Sequence, residues 1–423
     1  MKHFLPLIAL ALLASCGLES SLTPDLTDNG CNSKVCDYLY AIEYDDYDFE
    51  NGIKALEKFR PQPACSEVRK GNFVGRNLDW YINREASAVI KVNATEKRHA
   101  SLGVVGCMAQ FSNDLAASGK WNDVYEILPL FTVDGINDKG LYIGVNVMPT
   151  GETSLDSTTW ETGKWGHGAT FTHPEANDTY CVTYLVRVVL DRAATVAEAK
   201  DLINSINWYE PYNFPHEGEA QSFHWLICDK NSSAVVEFLD NKLCITETDK
   251  VKEPSYATIM TNFTNKVREN GLIQTSGAGY ERWDALHDNY AAAEESFTGI
   301  QELMKKAWYS LTYTLPVGDK NFKFTEFAST DYPASTLYGN AKAWDIPGFK
   351  AKVEHAQKTF ADKSNWHTDT TSLWYTTHTS VYDLAARKLH ILTHEGFDAQ
   401  KDFLEFSFKD TYVKPLEQRE VKK

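Results

Sequence analysis

The stretch ACSEVRKGNFVGRNLDW, residues 64–80, carries a thiol at Cys65, a guanidinium at Arg76 and a carboxylate at Asp79. These types suit nucleophilic chemistry. A cysteine attacks as thiolate, a nearby cation favours that form, and a carboxylate orients a proton donor or acceptor. Residues 66–69 and 73–79 read as strands around a Lys70-Gly71-Asn72 turn, so a hairpin folds Arg76 and Asp79 back beside Cys65. Taken alone, an Arg-Asn-x-Asp run fits a surface turn or an ion pair equally well.

The rest of the chain must supply a scaffold. Strands are read at SAVIKVNA, at SLGVVGC and on both sides of the turn in LFTVDGINDKGLYIGVNVMP. Helices follow at TYCVTYLVRVVLDRA and at TVAEAKDLINSI, where Thr195 and Glu198 have capping-box spacing. Strands return at SFHWLICD, SAVVEFLD and YATIMTN, helices at residues 281–293 and 299–308, and strands at TSLWYTTHTSVYDLAARKLHILTHE and FLEFSF. Strands, helices and strands in that order predict an α+β domain with helices layered on antiparallel sheets.

The first residues read differently. Met1-Lys2-His3 is a short basic start, and the apolar run at 4–14 has signal-peptide length, too short to span a bilayer comfortably. Leu13-Ala14-Ser15-Cys16 resembles a bacterial lipobox, which makes 1–16 a lipoprotein signal peptide and Cys16 the lipidated mature N-terminus. The expected location is the cell envelope, outside the cytoplasm, with the membrane reached through that lipid. Residues 17–35 read as a polar tether. Residues 37–60 read as ordered, with a helix near 52–59 that the Pro61-Gln62-Pro63-Ala64 run breaks. Export permits disulfides, and Cys31 and Cys36 are close enough to pair. No CxxC pair or histidine ligand spacing points to a metal. The formal net charge of -16 argues against a nucleic-acid partner, which needs clustered Lys and Arg.

Residues 65–80 resemble the opening of the choloylglycine hydrolase family of N-terminal-nucleophile amidases. That family includes bile salt hydrolases and penicillin V acylases, with acid ceramidase and N-acylethanolamine acid amidase as relatives. Gly75-Arg76-Asn77-Leu78-Asp79 matches the family's Gly-Arg-Asn-x-Asp segment, on a hairpin a few residues shorter than is usual for bile salt hydrolases. Later stretches agree in order. DGINDKGLYIGVN resembles the Asn-x-Lys-Gly-Leu hairpin that ends near an oxyanion-hole residue, here Asn146. IMTN puts Asn262 at the oxyanion-hole amide, and GYERWDAL puts Arg282 where a second active-site arginine starts a helix. TTHTSVYDLAARKLHIL resembles the closing strand pair. By residue type alone, Asn146 and Asn262 suit strand-end turns equally well, and Arg282 a solvated helix position beside Glu281 or Asp284.

The resemblance implies an αββα sandwich, two antiparallel sheets between helix layers, over a catalytic domain at 65–423. It implies a small-molecule N-acyl amide substrate and no cofactor, and it leaves a homo-oligomer open. The implied roles are Cys65 as nucleophile, its own α-amine as base, Arg76 favouring thiolate, and Asp79 holding the amine. The Asn262 side-chain N–H and the Asn146 backbone N–H would stabilise the oxyanion. A free α-amine titrates at about 7.7–8.0, well placed for this task, whereas a peptide nitrogen cannot accept the proton. The Ala64–Cys65 bond must therefore be cut, as acid ceramidase-like relatives do to themselves, which makes 17–64 tether and prosegment. Conjugated bile salts, fatty-acyl amides and penicillin V all fit the implied substrate. Two competing readings are a non-catalytic envelope lipoprotein that binds a ligand, and a thiol hydrolase with His224 or His378 as base.

Overall fold

The computed structural model describes residues 34–36, 39–49, 64–81, 87–106, 128–148, 171–209, 222–270, 279–317, 320–327, 374–395, 398–399 and 403–410. The expectations for Cys16, the 52–59 helix and a Cys31–Cys36 bridge lie outside the described residues. In chain order the strands begin with β1 (Lys34–Cys36), β2 (Leu39–Tyr44), β3 (Ala64–Lys70), β4 (Phe73–Tyr81), β5 (Ser87–Val92), β6 (Ser101–Val105), β7 (Thr132–Asn137) and β8 (Tyr142–Met148). They continue with β9 (Asp178–Cys181), β10 (Ile206–Tyr209), β11 (Ser222–Cys228), β12 (Ser233–Leu239), β13 (Lys242–Thr248) and β14 (Ile259–Met260). The last are β15 (Tyr309–Val317), β16 (Lys320–Phe327), β17 (Trp374–Asp383), β18 (Lys388–Glu395), β19 (Asp398–Ala399) and β20 (Leu404–Ser407). The helices are α1 (Leu185–Arg192), α2 (Val196–Asn204), α3 (Asn265–Glu269), α4 (Tyr280–Tyr290) and α5 (Phe297–Lys305).

Two large sheets form. The first runs β1-β2-β5-β6-β7-β8-β11-β12-β13; the second runs β14-β3-β4-β17-β15-β16, with β18 beside β17 and β19 and β20 beside β18. Period-two alternation sorts their side chains into three apolar layers. Val145, Val147, Phe223 and Trp225 pack outward against Val186, Val189 and Leu190 of α1 and Ala199 and Ile203 of α2. Tyr142, Leu226 and Val235 of the first sheet meet Val74, Tyr382 and Leu389 of the second in the middle. Val68 and Val381 face Leu286, Ile300 and Met304 of α4 and α5. Helices, two sheets and helices are thus stacked as the sequence predicts.

Three local features position the site. The β3–β4 turn puts Gly71 at its first central position with φ +59, as a type II′ hairpin requires, and registers Cys65 with Leu78 and Glu67 with Arg76. On the facing sheet, Asn137 locks the β7–β8 turn: its Oδ1 accepts from the N–H groups of Lys139 and Leu141, and its Nδ2 donates to the Leu190 and Ala193 carbonyls at the C-terminal end of α1. Thr195 caps α2 by accepting from the Glu198 N–H at 3.1 Å. The reciprocal bond of the expected capping box goes to the Ala194 N–H.

Several elements depart from the sequence reading. TYCV opens as strand β9, which pairs in parallel with β10, and the helix starts at Leu185. YATIMTN retains only two strand residues. β1 begins inside the expected tether, and β2 joins the first sheet through a six-residue parallel ladder to β5. Leu39 and Ile42 on β2 are fully buried. Beyond β2, Tyr47 donates its hydroxyl to Asp191 of α1 and lies under the Arg98 guanidinium at 4.1 Å, while Phe49 packs edge-on against Tyr180. Residues 39–49, ahead of Cys65, are therefore part of the sheet and core.

Candidate active site

Cys65 and Arg76 lie on the faces of β3 and β4 that look between the sheets. Arg76 Nη2 donates to Cys65 Sγ at 3.0 Å and to the Val145 carbonyl at 2.8 Å. Its Nη1 is paired with Asp134 on β7, and its Nε lies 3.5 Å from Glu67 Oε1. Val145 is open to Arg76 because β7 pairs with β8 only as far as Gly144. Val147, on the same uncovered stretch, accepts from Asn262 Nδ2 at 2.6 Å.

The backbone of Cys65 is gripped from the other side. Its N–H donates to Asn262 Oδ1 at 3.2 Å, and its carbonyl accepts from Arg282 Nη1 at 2.8 Å. Arg282 also donates from Nη1 to Asp79 Oδ2 at 2.6 Å and from Nη2 to Asn262 Oδ1. Gly279, with φ +93, precedes α4; a Cβ there would lie 2.9 Å from Arg282 Nη2 and 2.9 Å from Thr261 Cβ. The bare glycine lets the guanidinium and the Thr261–Asn262 strand end close on one another. Asn146 sits on β8 in register with His224, and its Nδ2 donates to the Thr261 carbonyl at 3.1 Å. All six site residues expected from the sequence are buried here.

Two contacts differ from expectation. Asp79 does not hold the Cys65 nitrogen: its carboxylate is occupied by Arg282 and by Thr376 Oγ1 at 2.6 Å. Asn262 takes that nitrogen with its oxygen, and its N–H, expected to face a substrate carbonyl, is spent on Val147. Ala64 continues β3 and pairs with Asp79, and the Cys65 nitrogen is a peptide N–H that donates to Asn262.

Electrostatics bear on the thiol's state. Burial pushes the Cys65 thiol up to about 12, outweighing the opposing pull of Arg76. Arg76 thus acts on the sulfur in the expected direction, but the thiol keeps its proton at neutral pH and needs a base to attack. Of the two histidines proposed as alternative bases, His224 is committed elsewhere, and His378 has no hydrogen bond to Cys65 Sγ, its Nε2 lying 4.0 Å from Asp134 Oδ1. His224 contacts Glu237 through Nδ1 and the Thr261 carbonyl through Nε2. His378 shares Nδ1 with Ser87, and burial pushes it down to about 4.

Sequence reasoning missed three members. Asp134 accepts from Arg76, from Ser380 at 2.8 Å and from Tyr382 at 2.7 Å, so it anchors the thiol's guanidinium to both sheets. A carboxylate inside an apolar strand run, VDGIN, was its available signal. Thr376 reaches Asp79 as its cross-strand partner on β17, next to a register shift at Thr376/His378, a pairing that no local pattern foretells. Glu67 shares the face of Cys65, two residues on, and accepts from Tyr142 at 3.0 Å.

Burial pushes Glu67 from 4.5 up to about 8, Arg76 opposing and Asp134 adding. A carboxyl raised in the fold binds more protons folded than unfolded, so stability falls as pH rises through this window. Glu67→Gln mimics the protonated form and escapes that loss. Its stability relative to the unsubstituted protein is expected to rise between pH 4.5 and about 8 and then level. Urea unfolding at several pH values measures this; a constant difference would contradict it.

The family model for linear amide C–N hydrolases, choloylglycine hydrolase family, matches residues 65–276, half of the chain, beginning at Cys65 itself. No curated protein matches the chain. Among solved structures, penicillin V acylase from Agrobacterium tumefaciens is 12% identical, with 83% of this chain and 88% of that one covered at a TM-score of 0.41. A mutant conjugated bile acid hydrolase from Clostridium perfringens is 15% identical, with 82% and 93% covered at a TM-score of 0.39. With a buried cysteine at the head of the matched region, the chain belongs to the choloylglycine hydrolase family and is a linear amide C–N hydrolase.

Proposed function

We propose that the protein is an exported cysteine N-terminal-nucleophile amidase that transfers a bulky apolar acyl group from an amine to water through a thioester at Cys65. One observation carries this reading: the sulfur, nitrogen and carbonyl of Cys65 are each held by a different side chain, Arg76, Asn262 and Arg282. A structural cysteine needs no such grip. The protonated, buried thiol also calls for a base within reach, and the α-amine of the same residue is the nearest nitrogen that a single cut would free.

In the first step the Cys65 thiol adds to the Ala64 carbonyl and the peptide shifts from nitrogen to sulfur. Water hydrolyses that thioester, leaving a carboxylate on Ala64 and an amine on Cys65. In turnover the amine takes the thiol proton as sulfur attacks the substrate carbonyl. The tetrahedral intermediate collapses, the C–N bond breaks and the amine product leaves with that proton. Water then hydrolyses the acyl thioester. The cut frees Asp79 from its pairing with Ala64 and lets it share the new ammonium with Asn262 Oδ1. Asn262 Nδ2, once it leaves the Val147 carbonyl, and the Asn146 backbone N–H serve the oxyanion; loss of such a donor costs about 10²–10³ in rate.

Residues 1–16, ending in the lipobox at Cys16, support an envelope lipoprotein anchored by lipid. The substrate class follows from the family and from an aromatic content of 13%, part of which can line an apolar pocket. A panel of glyco- and tauro-conjugated bile salts, N-acylethanolamines, ceramides and penicillin V, scored for amine release, identifies the branch. Ligand retention without turnover across the panel would favour the binding-protein alternative.

N-terminal sequencing of purified protein is expected to read from Cys65. Because β2 and residues 45–49 are built into the sheet and core, the fragment ending at Ala64 is expected to stay bound after the cut. The two pieces should co-elute in native gel filtration and part in denaturant, under reducing conditions. Full activity in a protein still joined at Ala64 would overturn the cleavage step.

A further inference from the structure

Behind the site lies a buried pair with no part in the chemistry above. His224 on β11 and Glu237 on β12 are cross-strand partners, and both are buried. His224 Nε2 lies 2.7 Å from the Thr261 carbonyl. A carbonyl only accepts, so Nε2 carries a proton and donates. Nδ1 lies 3.2 Å from Glu237 Oε1. The contact at Nδ1 holds the ring so that Nε2 faces the Thr261 carbonyl. Glu237 is itself pinned: Oε1 accepts from the Asn265 N–H at 2.7 Å and Oε2 from the Lys266 N–H at 2.8 Å.

The residue gripped by this pair is the one before Asn262. The Thr261 carbonyl receives two donors, His224 Nε2 and Asn146 Nδ2. Its hydroxyl donates to the Gly279 carbonyl at 3.0 Å, at the foot of the helix that carries Arg282. One peptide group therefore ties together Asn146, Asn262 and the start of α4. β14 ends at Met260 and Asn262 makes a single β-bridge beyond it, so side-chain donors supplement the sheet in fixing this backbone.

We propose that His224 and Glu237 are positioning residues: they fix the Thr261 carbonyl so that Asn262 and Asn146 meet the Cys65 nitrogen and the oxyanion together. This rests on the cysteine-amidase reading. It differs from a histidine base, since the ring acts on the backbone and never on the sulfur. A shift of the Asn262 arm is felt in the transition state, where the donor is needed, more than in substrate binding.

The test compares the processed full-length protein with His224→Leu, His224→Gln and Glu237→Gln, and with Cys65→Ser as control. The probes are glycocholate, penicillin V and N-palmitoylethanolamine, using whichever the unsubstituted enzyme hydrolyses. His224→Leu is expected to lower kcat about 10–100-fold, the scale of a misplacement near 1 Å, with KM changed less than about three-fold. His224→Gln keeps an N–H for the Thr261 carbonyl and should recover most of the loss. Glu237→Gln should fall between. Each kcat is divided by the folded fraction measured from tryptophan fluorescence in urea. Normal kcat in folded His224→Leu overturns the proposal, as does a loss fully accounted for by unfolding or one that His224→Gln does not rescue. If His224→Leu does not fold, the Gln variants decide: unchanged kcat in Glu237→Gln overturns the pair's role. Hydrolysis retained by Cys65→Ser, or none by the unsubstituted enzyme on any probe, instead removes the amidase reading, and the proposal falls with it.

Discussion

Cys65→Ala is expected to yield a folded chain still joined at Ala64, with amide hydrolysis reduced by roughly 10⁴–10⁶-fold, the scale on which removal of a hydrolytic nucleophile is felt. Both effects come from one atom. Without sulfur nothing attacks the Ala64 carbonyl, so no α-amine is released; without sulfur no acyl-enzyme forms. The fold should survive, because Arg76 keeps its bonds to Asp134 and the Val145 carbonyl and only the contact to Sγ is lost. Intact mass reports the cut, and amine release from the panel reports turnover. Cys65→Ser should also lose hydrolysis. An Ala variant that turns over substrate at the normal rate would remove the thioester from the mechanism.

The second large effect is expected at Asp134. Its carboxylate is the strongest anchor of Arg76, and both side chains are fully excluded from water. Asp134→Asn leaves a buried guanidinium short of its counter-charge; breaking one side of such a pair costs about 3–5 kcal/mol. The local acids soften this. Asp134 helps raise Glu67, so neutralising it lets Glu67 ionise nearer to neutrality and take over part of the pairing at Arg76 Nε. The loss is therefore expected near the lower end, about 3 kcal/mol, as a fall in urea midpoint at unchanged slope. Turnover should drop as well, because the guanidinium that donates to Cys65 Sγ is no longer aimed by both sheets. An unchanged midpoint would mean that Asp134 carries no net pairing energy.

Much of this site was legible along the chain because its two nearest members are local. A hairpin with a two-residue turn brings Arg76 beside Cys65 whatever surrounds it, and Gly71 marks the turn. The strand–helix–strand order likewise reads directly as layered sheets, since the alternation of apolar residues records which faces are buried. Asn262 and Arg282 were found only through ordered resemblance to a family; nothing in IMTN or GYERW by itself distinguishes an active-site amide from a turn residue. Asp134, Thr376 and the His224–Glu237 pair stayed hidden for a different reason. Asp134 and Thr376 act between strands far apart in sequence, and the His224–Glu237 pair acts on Thr261 from a separate hairpin, where no periodicity reports a partner.

The sequence by itself determined the α+β layering and the nearness of Arg76 to Cys65, both consequences of residue type and short-range geometry; the nucleophile's role and a cut before Cys65 are what the family resemblance implies. Tertiary structure decided which group meets which atom. It assigned the Cys65 nitrogen to Asn262 and Asp79 to Arg282. It also drew β2, from ahead of Cys65, into the first sheet. Those outcomes depend on register and on competition among buried donors and acceptors for a limited set of partners. That competition is settled only when both sheets and α4 close on the same few ångströms.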